Sequence, residues 1–376
     1  MIFKYLLIIL SAILYRLLRP ILFLTDSEKI HTHVIVLGQW FSRNSIFRNI
    51  IKAFWRVESP MLTQSIAGIT FTNPIGMAAG FDYEARLTQI LPSLGLGFET
   101  VGTITNKPYK GNPPPRLGRL VQSQALLVNK GFKNDGIDAL IEKHKASSFM
   151  MPIGLSIGKT NRSTPMTQDE AVVDVVAAFR KTEGANLPFA YYELNISCPN
   201  LYGNIEFYSP QRLDELLTAV TTLKLSKPLF IKMPISETDE AVKAMLDIVI
   251  RFPVAGIVLG NLQKDRKNPA LVTREVAKAG KGNFSGKPTW IRSNELIKLA
   301  YRQAGDRLII IGCGGVFSAE DAYVKIRLGA SLVQLITGLI YKGPQLPAQI
   351  NLGLIKLLRR DGFKSVAEAI GVDTSI

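Results

Sequence analysis

Cysteine is scarce: Cys198 and Cys313 are the only two in 376 residues. They form no CxxC pair and no zinc or iron–sulfur spacing. Redox work by this chain therefore requires a bound organic cofactor or a partner, and both thiols are expected reduced, in a cytosolic setting. Histidine is nearly as scarce, with His31, His33 and His144. No HExxH, no Ser-His-Asp arrangement and no Walker loop can be assembled, which leaves hydrolase and kinase readings without parts. Acidic residues number 30 against 45 Lys and Arg, for a net charge of +15. The basic residues are dispersed, a pattern produced equally by a solvated surface and by attraction to an anionic membrane or ligand.

What is present begins with an apolar N-terminus. Tyr5 to Tyr15 reads YLLIILSAILY, with Lys4 before it and Arg16 and Arg19 after it, and Ile21 to Leu24 follow Pro20. The run falls short of the roughly 20 apolar residues that cross a bilayer. Its interleaved arginines predict a helix lying in the membrane interface; a short spanning anchor and a cleaved signal are the alternatives. Asp26-Ser27-Glu28 offers an N-cap before His31, Val34, Leu37 and Trp40-Phe41, which keep helical spacing. Another Arg- and Trp-bearing stretch runs from Phe47 to Trp55. Residues 1–58 are thus read as a helical appendage with an apolar mouth, and residues 59–376 as a catalytic domain.

From Pro60 the texture changes to short apolar runs, each followed by a longer helical stretch. Eight such runs are Pro74–Gly80, Phe98–Ile104, Met151–Gly158, Tyr191–Cys198, Pro228–Pro234, Gly256–Leu262, Leu308–Gly315 and Leu332–Gly338. Helical patterns such as Asp169–Arg180, Arg212–Leu223, Asp239–Arg251 and Ala319–Leu328 lie between them. Eight alternations predict a closed (β/α)₈ (TIM) barrel of class α/β. An open doubly wound sheet is the alternative, but its Gly-rich fingerprint is missing after the first strand, which ends in Ala78-Ala79-Gly80-Phe81-Asp82.

In such barrels chemistry sits at the C-terminal strand ends. Here these ends read AAGFD, GTIT, SIGK, NISCPN, IKMP, GNL, GCGG and ITG. They suit a ligand with a phosphate and many hydrogen-bonding ring edges. Gly312-Cys313-Gly314-Gly315 and Thr337-Gly338 let backbone N–H groups approach an anion. Lys232, inside the apolar run LFIKMP, needs an anionic or carbonyl partner. Asn195-Ile-Ser-Cys198-Pro-Asn200 places a thiol between two amides. Such a thiol serves as base if its pKa is lowered, or is a small buried hydrophobe, the reading that fits Cys313 better. Asn261 adds a further amide. Asp82 and Glu84 are read as structural.

The motifs NPIGMAAGFD, VGTIT, PPPRLGRL, NKGFKNDG, NISCPN, IKMP, GCGG and LITGLIYKGP together resemble those of the dihydroorotate dehydrogenases, over about Ile21 to Pro347. The helical appendage before the barrel resembles the quinone-linked, membrane-associated class. The resemblance implies FMN in the barrel mouth, oxidation of dihydroorotate to orotate at a CH–CH bond in pyrimidine (UMP) biosynthesis, and electrons leaving to a membrane quinone. It implies attachment at the cytoplasmic face of the cell membrane and no nucleic-acid partner. By motif, Ala79, Gly80, Thr103, Ser156, Asn195, Lys232, Ser285, Gly286, Gly314, Gly315, Thr337 and Gly338 would hold FMN. Asn129, Phe132, Asn195, Asn200 and Asn261 would hold substrate, and Cys198 would be the base. Cys198 is the choice of the soluble classes, where the membrane class has serine. Tyr83 stands where a lysine is usual, Ser156 where an asparagine is usual, and Val128 where another asparagine is usual, with Asn129 one residue later. Lys130, Lys133 and Arg86 are candidates to replace the charge missing at Tyr83. A related FMN barrel acting on another dihydropyrimidine or enone, and a non-catalytic flavin-binding protein, are the alternative readings.

Overall fold

The computed structural model describes residues 2–374 apart from 165 and 204. Three helices come first, α1 (Ile2–Leu24), α2 (Ser27–Arg43) and α3 (Ser45–Trp55). The sequence suggests a break at Pro20, yet α1 runs through it. The proline costs the helix only the N–H that would reach the carbonyl of Arg16, and both residues are exposed, so solvent takes that carbonyl's bond. Asp26 caps α2 as its sequence foretells, its carboxylate accepting from the N–H groups of Glu28 and Lys29 at 3.0 Å.

A hairpin of β1 (Gln64–Ile66) and β2 (Ile69–Phe71) precedes the barrel. The barrel strands are β3 (Ile75–Met77), β4 (Phe98–Thr105), β7 (Ile153–Gly158), β8 (Tyr191–Asn195), β9 (Leu229–Met233), β10 (Gly256–Leu259), β12 (Ile309–Cys313) and β13 (Leu332–Leu335). They are all parallel and close in that order, β9 pairing with β10 and β13 with β3. Seven of the eight predicted runs contain one of these strands, and the eighth, Phe98–Ile104, covers β4 but for Thr105. Both faces of each strand must be apolar or internally satisfied, since helices pack outside and side chains fill the inside; all eight residues of β4 are buried.

The outer layer comprises α4 (Ile137–His144), α5 (Gln168–Ala185), α6 (Pro210–Thr221), α7 (Asp239–Val249), α8 (Thr273–Lys278), α9 (Trp290–Ala304), α10 (Ala319–Arg327), α11 (Thr337–Lys342) and α12 (Leu346–Arg360). Four of them, α5, α6, α7 and α10, start where a Ser or Thr side chain accepts from a free N–H of the first turn. Thr167 and Glu170 form a reciprocal capping box on α5. Three further strands, β5 (Leu117–Leu120), β6 (Ala125–Val128) and β11 (Asn283–Gly286), form a separate antiparallel sheet beside the mouth. The sequence reading passed over that sheet and the β1–β2 hairpin, because their strands are too short to show a period. Phe71, Phe98, Tyr191 and Phe230 close the barrel floor with Val258, Ile311 and Leu332.

Candidate functional site

The strand ends converge on one cleft. Its wall includes Ala78, Ala79, Lys232, Gly260, Asn261 and Ser285. It is completed by Gly286, Gly314, Gly315, Thr337 and Gly338. Gly286, Gly314 and Gly315 have φ of 91°, 109° and 70°, the left-handed region where a side chain is penalised. The Ser285 and Thr337 hydroxyls lie 2.8 Å apart. The result is a rim of backbone N–H groups and hydroxyls, the donor set an anionic phosphate takes.

Across the mouth, a register shift between Val101 and Ile104 in β4 turns Thr103 inward. Its hydroxyl meets that of Ser156 at 2.8 Å and accepts from the Asn195 amide at 2.7 Å. The Asn195 carbonyl accepts from the Ser197 N–H at 3.1 Å and hydroxyl at 2.8 Å. Asn261 donates to the Ser197 carbonyl at 2.8 Å and to its hydroxyl. These bonds fix the loop that carries Cys198.

Cys198 lies half-buried on the loop that follows β8. Burial pushes its thiol up to about 11, while the N–H of Asn200 and the charges of Lys232 and Lys159 pull it down. A thiol so placed is protonated near neutrality and acts as a base only where a cation or bound ligand offsets that burial. Lys232 is 3% exposed and has no hydrogen-bond partner among the described residues. An uncommitted buried ammonium at a cavity wall requires negative charge on a ligand or within the barrel.

Two of the amides expected to read a ring are partly occupied by other asparagines, Asn112 and Asn283. Asn112 donates to Asn129 at 3.0 Å and to the Asn200 carbonyl at 2.9 Å. Asn200 donates to the Val128 carbonyl at 3.1 Å and accepts from Asn283 at 2.7 Å. Asn129 and Asn200 therefore share one network. Phe132 sits at φ 62°, unusual for an aromatic, its carbonyl held by Asn134 at 2.7 Å. That turn lays its ring against Gly158, where an added Cβ would stand 2.7 Å from it.

None of the three cations offered as substitutes at Tyr83 is idle. Arg86 pairs with Glu84 at 2.6 Å, Lys133 with Glu28 at 3.4 Å, and the Lys130 ammonium lies 4.8 Å from the centre of the Tyr83 ring. Asp82 and Glu84 are structural, as expected: Asp82 accepts from the N–H of Leu87 at 2.6 Å.

The three histidines lie off the strand ends, and His31 is carried by α2. It faces the barrel from α2, its Nε2–H donating to the Phe81 carbonyl at 2.9 Å, with its ring against Phe81 and Tyr83. Burial, with Lys130 nearby, lowers it to about 4. The unfolded chain, near 6.5, then binds the proton more readily, so stability is full above pH 6.5 and is lost as pH falls toward 4. From pH 7 to pH 5 the loss is about 2 kcal/mol from this residue alone. Thermal melts at the two pH values, compared with His31→Gln, check this; an equal pH dependence in the variant would refute it.

His31 also borders a second cavity, of about 470 Å³, between the N-terminal helices and the barrel. Its wall is almost wholly apolar, with Leu22, Val34, Phe41, Leu91 and Ile340 among the lining and Arg119 as its one cation. The helical spacing of His31, Val34, Leu37 and Phe41 on α2 foreshadowed one side; the other comes from α11 and β5–β6 and was not legible.

Among the described residues no three His, Cys, Asp or Glu cluster to hold a metal. Residues 61–358 match the family model described as Dihydroorotate dehydrogenase. The chain is 37% identical over 358 residues to a dihydroorotate dehydrogenase (quinone) of Mycobacterium sp. (strain KMS), covering 95% of this chain and 98% of that one. It is equally 37% identical to one of Natronomonas pharaonis, covering 96% and 99%. A crystal structure of DHODH from Eimeria tenella in complex with ferulenol superposes with TM-score 0.77 at 28% identity, over 93% of this chain and 96% of that chain.

Proposed function

The chain belongs to the dihydroorotate dehydrogenase family, and on that premise we propose that it oxidises dihydroorotate to orotate with FMN in the barrel mouth and passes the electrons to a membrane quinone. The observation that carries the reading is a pair of cavities: a polar cleft lined by Lys232, which has no hydrogen-bond partner among the described residues, and by Cys313, and an apolar one among the N-terminal helices. The cleft fits FMN by its donors. Ser285, Gly286, Gly314, Gly315, Thr337 and Gly338 would take the phosphate, and Ala79, Gly80, Thr103, Ser156, Asn195 and Lys232 the ring and its side chain. When bound, FMN supplies acceptance of a hydride. Cys198 would remove the neighbouring proton, and Asn129, Asn195, Asn200 and Asn261 would bond the substrate's ring amides, with Phe132 covering it.

Residues 1–58 would form the membrane and quinone unit on a barrel of residues 59–376. By length and composition Lys4–Leu24 qualifies as a membrane-crossing helix. Its packing favours another placement. Ser11 accepts from the Trp55 indole at 3.1 Å, Tyr15 donates to the Ile340 carbonyl at 2.6 Å, and Arg19 donates to the Tyr341 carbonyl at 3.0 Å. With Lys4 on the Arg56 carbonyl and Ile8 buried, one face of α1 is tied to the rest of the protein along its length. The other face exposes Leu6, Leu10, Ile13, Leu14, Leu17 and Ile21. A helix so tied lies along a bilayer surface, here the cytoplasmic one, with its leucines in the acyl boundary. Replacing Leu10, Leu14 and Leu17 by serine is expected to weaken vesicle binding at least about tenfold in a flotation assay; unchanged flotation would argue against it.

Anaerobic addition of dihydroorotate to the detergent-purified protein is expected to bleach the flavin spectrum, and a soluble quinone to restore it. Failure to bleach removes this substrate. Val34→Trp, on the apolar cavity wall, is expected to slow the quinone step by about tenfold or more while leaving bleaching unchanged, since it fills space only there.

A further inference from the structure

Above its aromatic floor the barrel interior carries a polar tier. Thr100 and Tyr191 hydroxyls meet at 2.8 Å, and the Gln334 amide donates to Thr100 at 2.7 Å. Glu193 belongs to this tier. It pairs in register with Phe230, a floor residue, so it shares Phe230's inward face, and Lys232 follows two residues on along the same face of β9. Glu193 is wholly buried, and neither carboxylate oxygen has a hydrogen-bond partner. Lys232 above it likewise has none among the described residues. Burial pushes the Cys313 thiol up, Lys232 and then Lys325 pull it down, and Glu193 pushes it up, so Lys232 and Glu193 share its neighbourhood with Lys325, whose ammonium is already bonded to Ser293 and Asn294. A buried carboxylate without donors and a buried ammonium without acceptors, one register step apart, have chiefly each other as offset.

We propose that Glu193 is the internal counter-charge of Lys232 and sets how strongly the barrel mouth holds negative charge on a bound flavin. This rests on the FMN reading above. Glu193 lies behind Lys232, away from substrate, so it is a positioning residue that acts through the lysine's field. With the carboxylate present, the interior sums to zero and the pull on added electrons is damped. With it neutralised, the ammonium acts alone in a low-dielectric space.

Sulfite provides the readout, because its sulfur lone pair forms a bond to flavin N5 while an electron pair moves onto the ring, leaving one negative charge there and bleaching the spectrum. In the FMN-loaded protein, Glu193→Gln is expected to bind sulfite about tenfold more tightly than wild type, and Glu193→Asp to stay within about twofold. Lys232→Gln is expected to bind it about tenfold more weakly, and adding Glu193→Gln to that variant to change it by less than about twofold, because Glu193 acts through the lysine's field. Should Glu193→Gln not fold, Glu193→Met carries the same readout. Unchanged or weaker sulfite binding in the neutralised variant overturns the proposal while leaving the function intact. A wild type that neither carries nor takes up FMN overturns both.

Discussion

Cys198→Ala is expected to slow bleaching of the flavin by dihydroorotate by about three orders of magnitude, the share a positioned base supplies to a proton-transfer step. FMN content should not change, because the loop is held by Asn195, Asn261 and Asn112 rather than by the thiol. Cys198→Ser should fall between, since the hydroxyl keeps the position and loses acidity. The wild-type rate should climb with pH from 7 to 9 with no plateau below 9, because burial pushes the thiol up to about 11 and the charged form grows as pH rises. Anaerobic stopped-flow at single turnover measures all three. A Cys198→Ala rate within about tenfold of wild type would move the base elsewhere.

The second large effect is expected at Gly260. Its φ is 134°, and a Cβ added there would stand 1.7 Å from the Cys313 carbonyl oxygen. Backbone cannot yield as a flexible side chain does, so β10 and β12 must part at their mouth ends. Gly260→Ala is therefore expected to lose nearly all bound FMN, read as the flavin-to-protein absorbance ratio after purification. It should also destabilise the fold by about 3 kcal/mol. A variant that keeps one FMN per chain would show that the cofactor does not depend on this strand contact.

Glu193 and Cys198 bear differently on the same site. One is reached by substrate and the other is not, so a pH profile separates Cys198 from Glu193, and sulfite binding separates Glu193 from Cys198.

The barrel was legible because its signal is local and repeated. Eight buried strands must each be an apolar run of strand length, and eight helices must intervene, so patterns such as Leu229–Met233 and Tyr191–Asn195 declare themselves. Strand-end chemistry followed, because a parallel barrel sends every strand's C-terminus to one mouth. The sequence therefore determined the fold class and the cleft, with Lys232 in its wall. It also determined the cap at Asp26 and an apolar N-terminus.

Only the tertiary structure decided what depends on distant partners. Pro20 does not end α1, because the cost of a proline depends on whether the orphaned carbonyl meets water. His31 became a site residue only when α2 docked on Phe81, 50 positions away. Arg86 and Lys133 proved committed to Glu84 and Glu28, which no spacing rule pairs. The Asn112–Asn129–Asn200 network joins three loops, and the offset of Lys232 by Glu193 crosses two strands whose register is set by barrel closure. Period and composition encode which face a residue takes; which charges meet across that face is fixed by closure and docking, to which a residue's sequence neighbours contribute almost nothing.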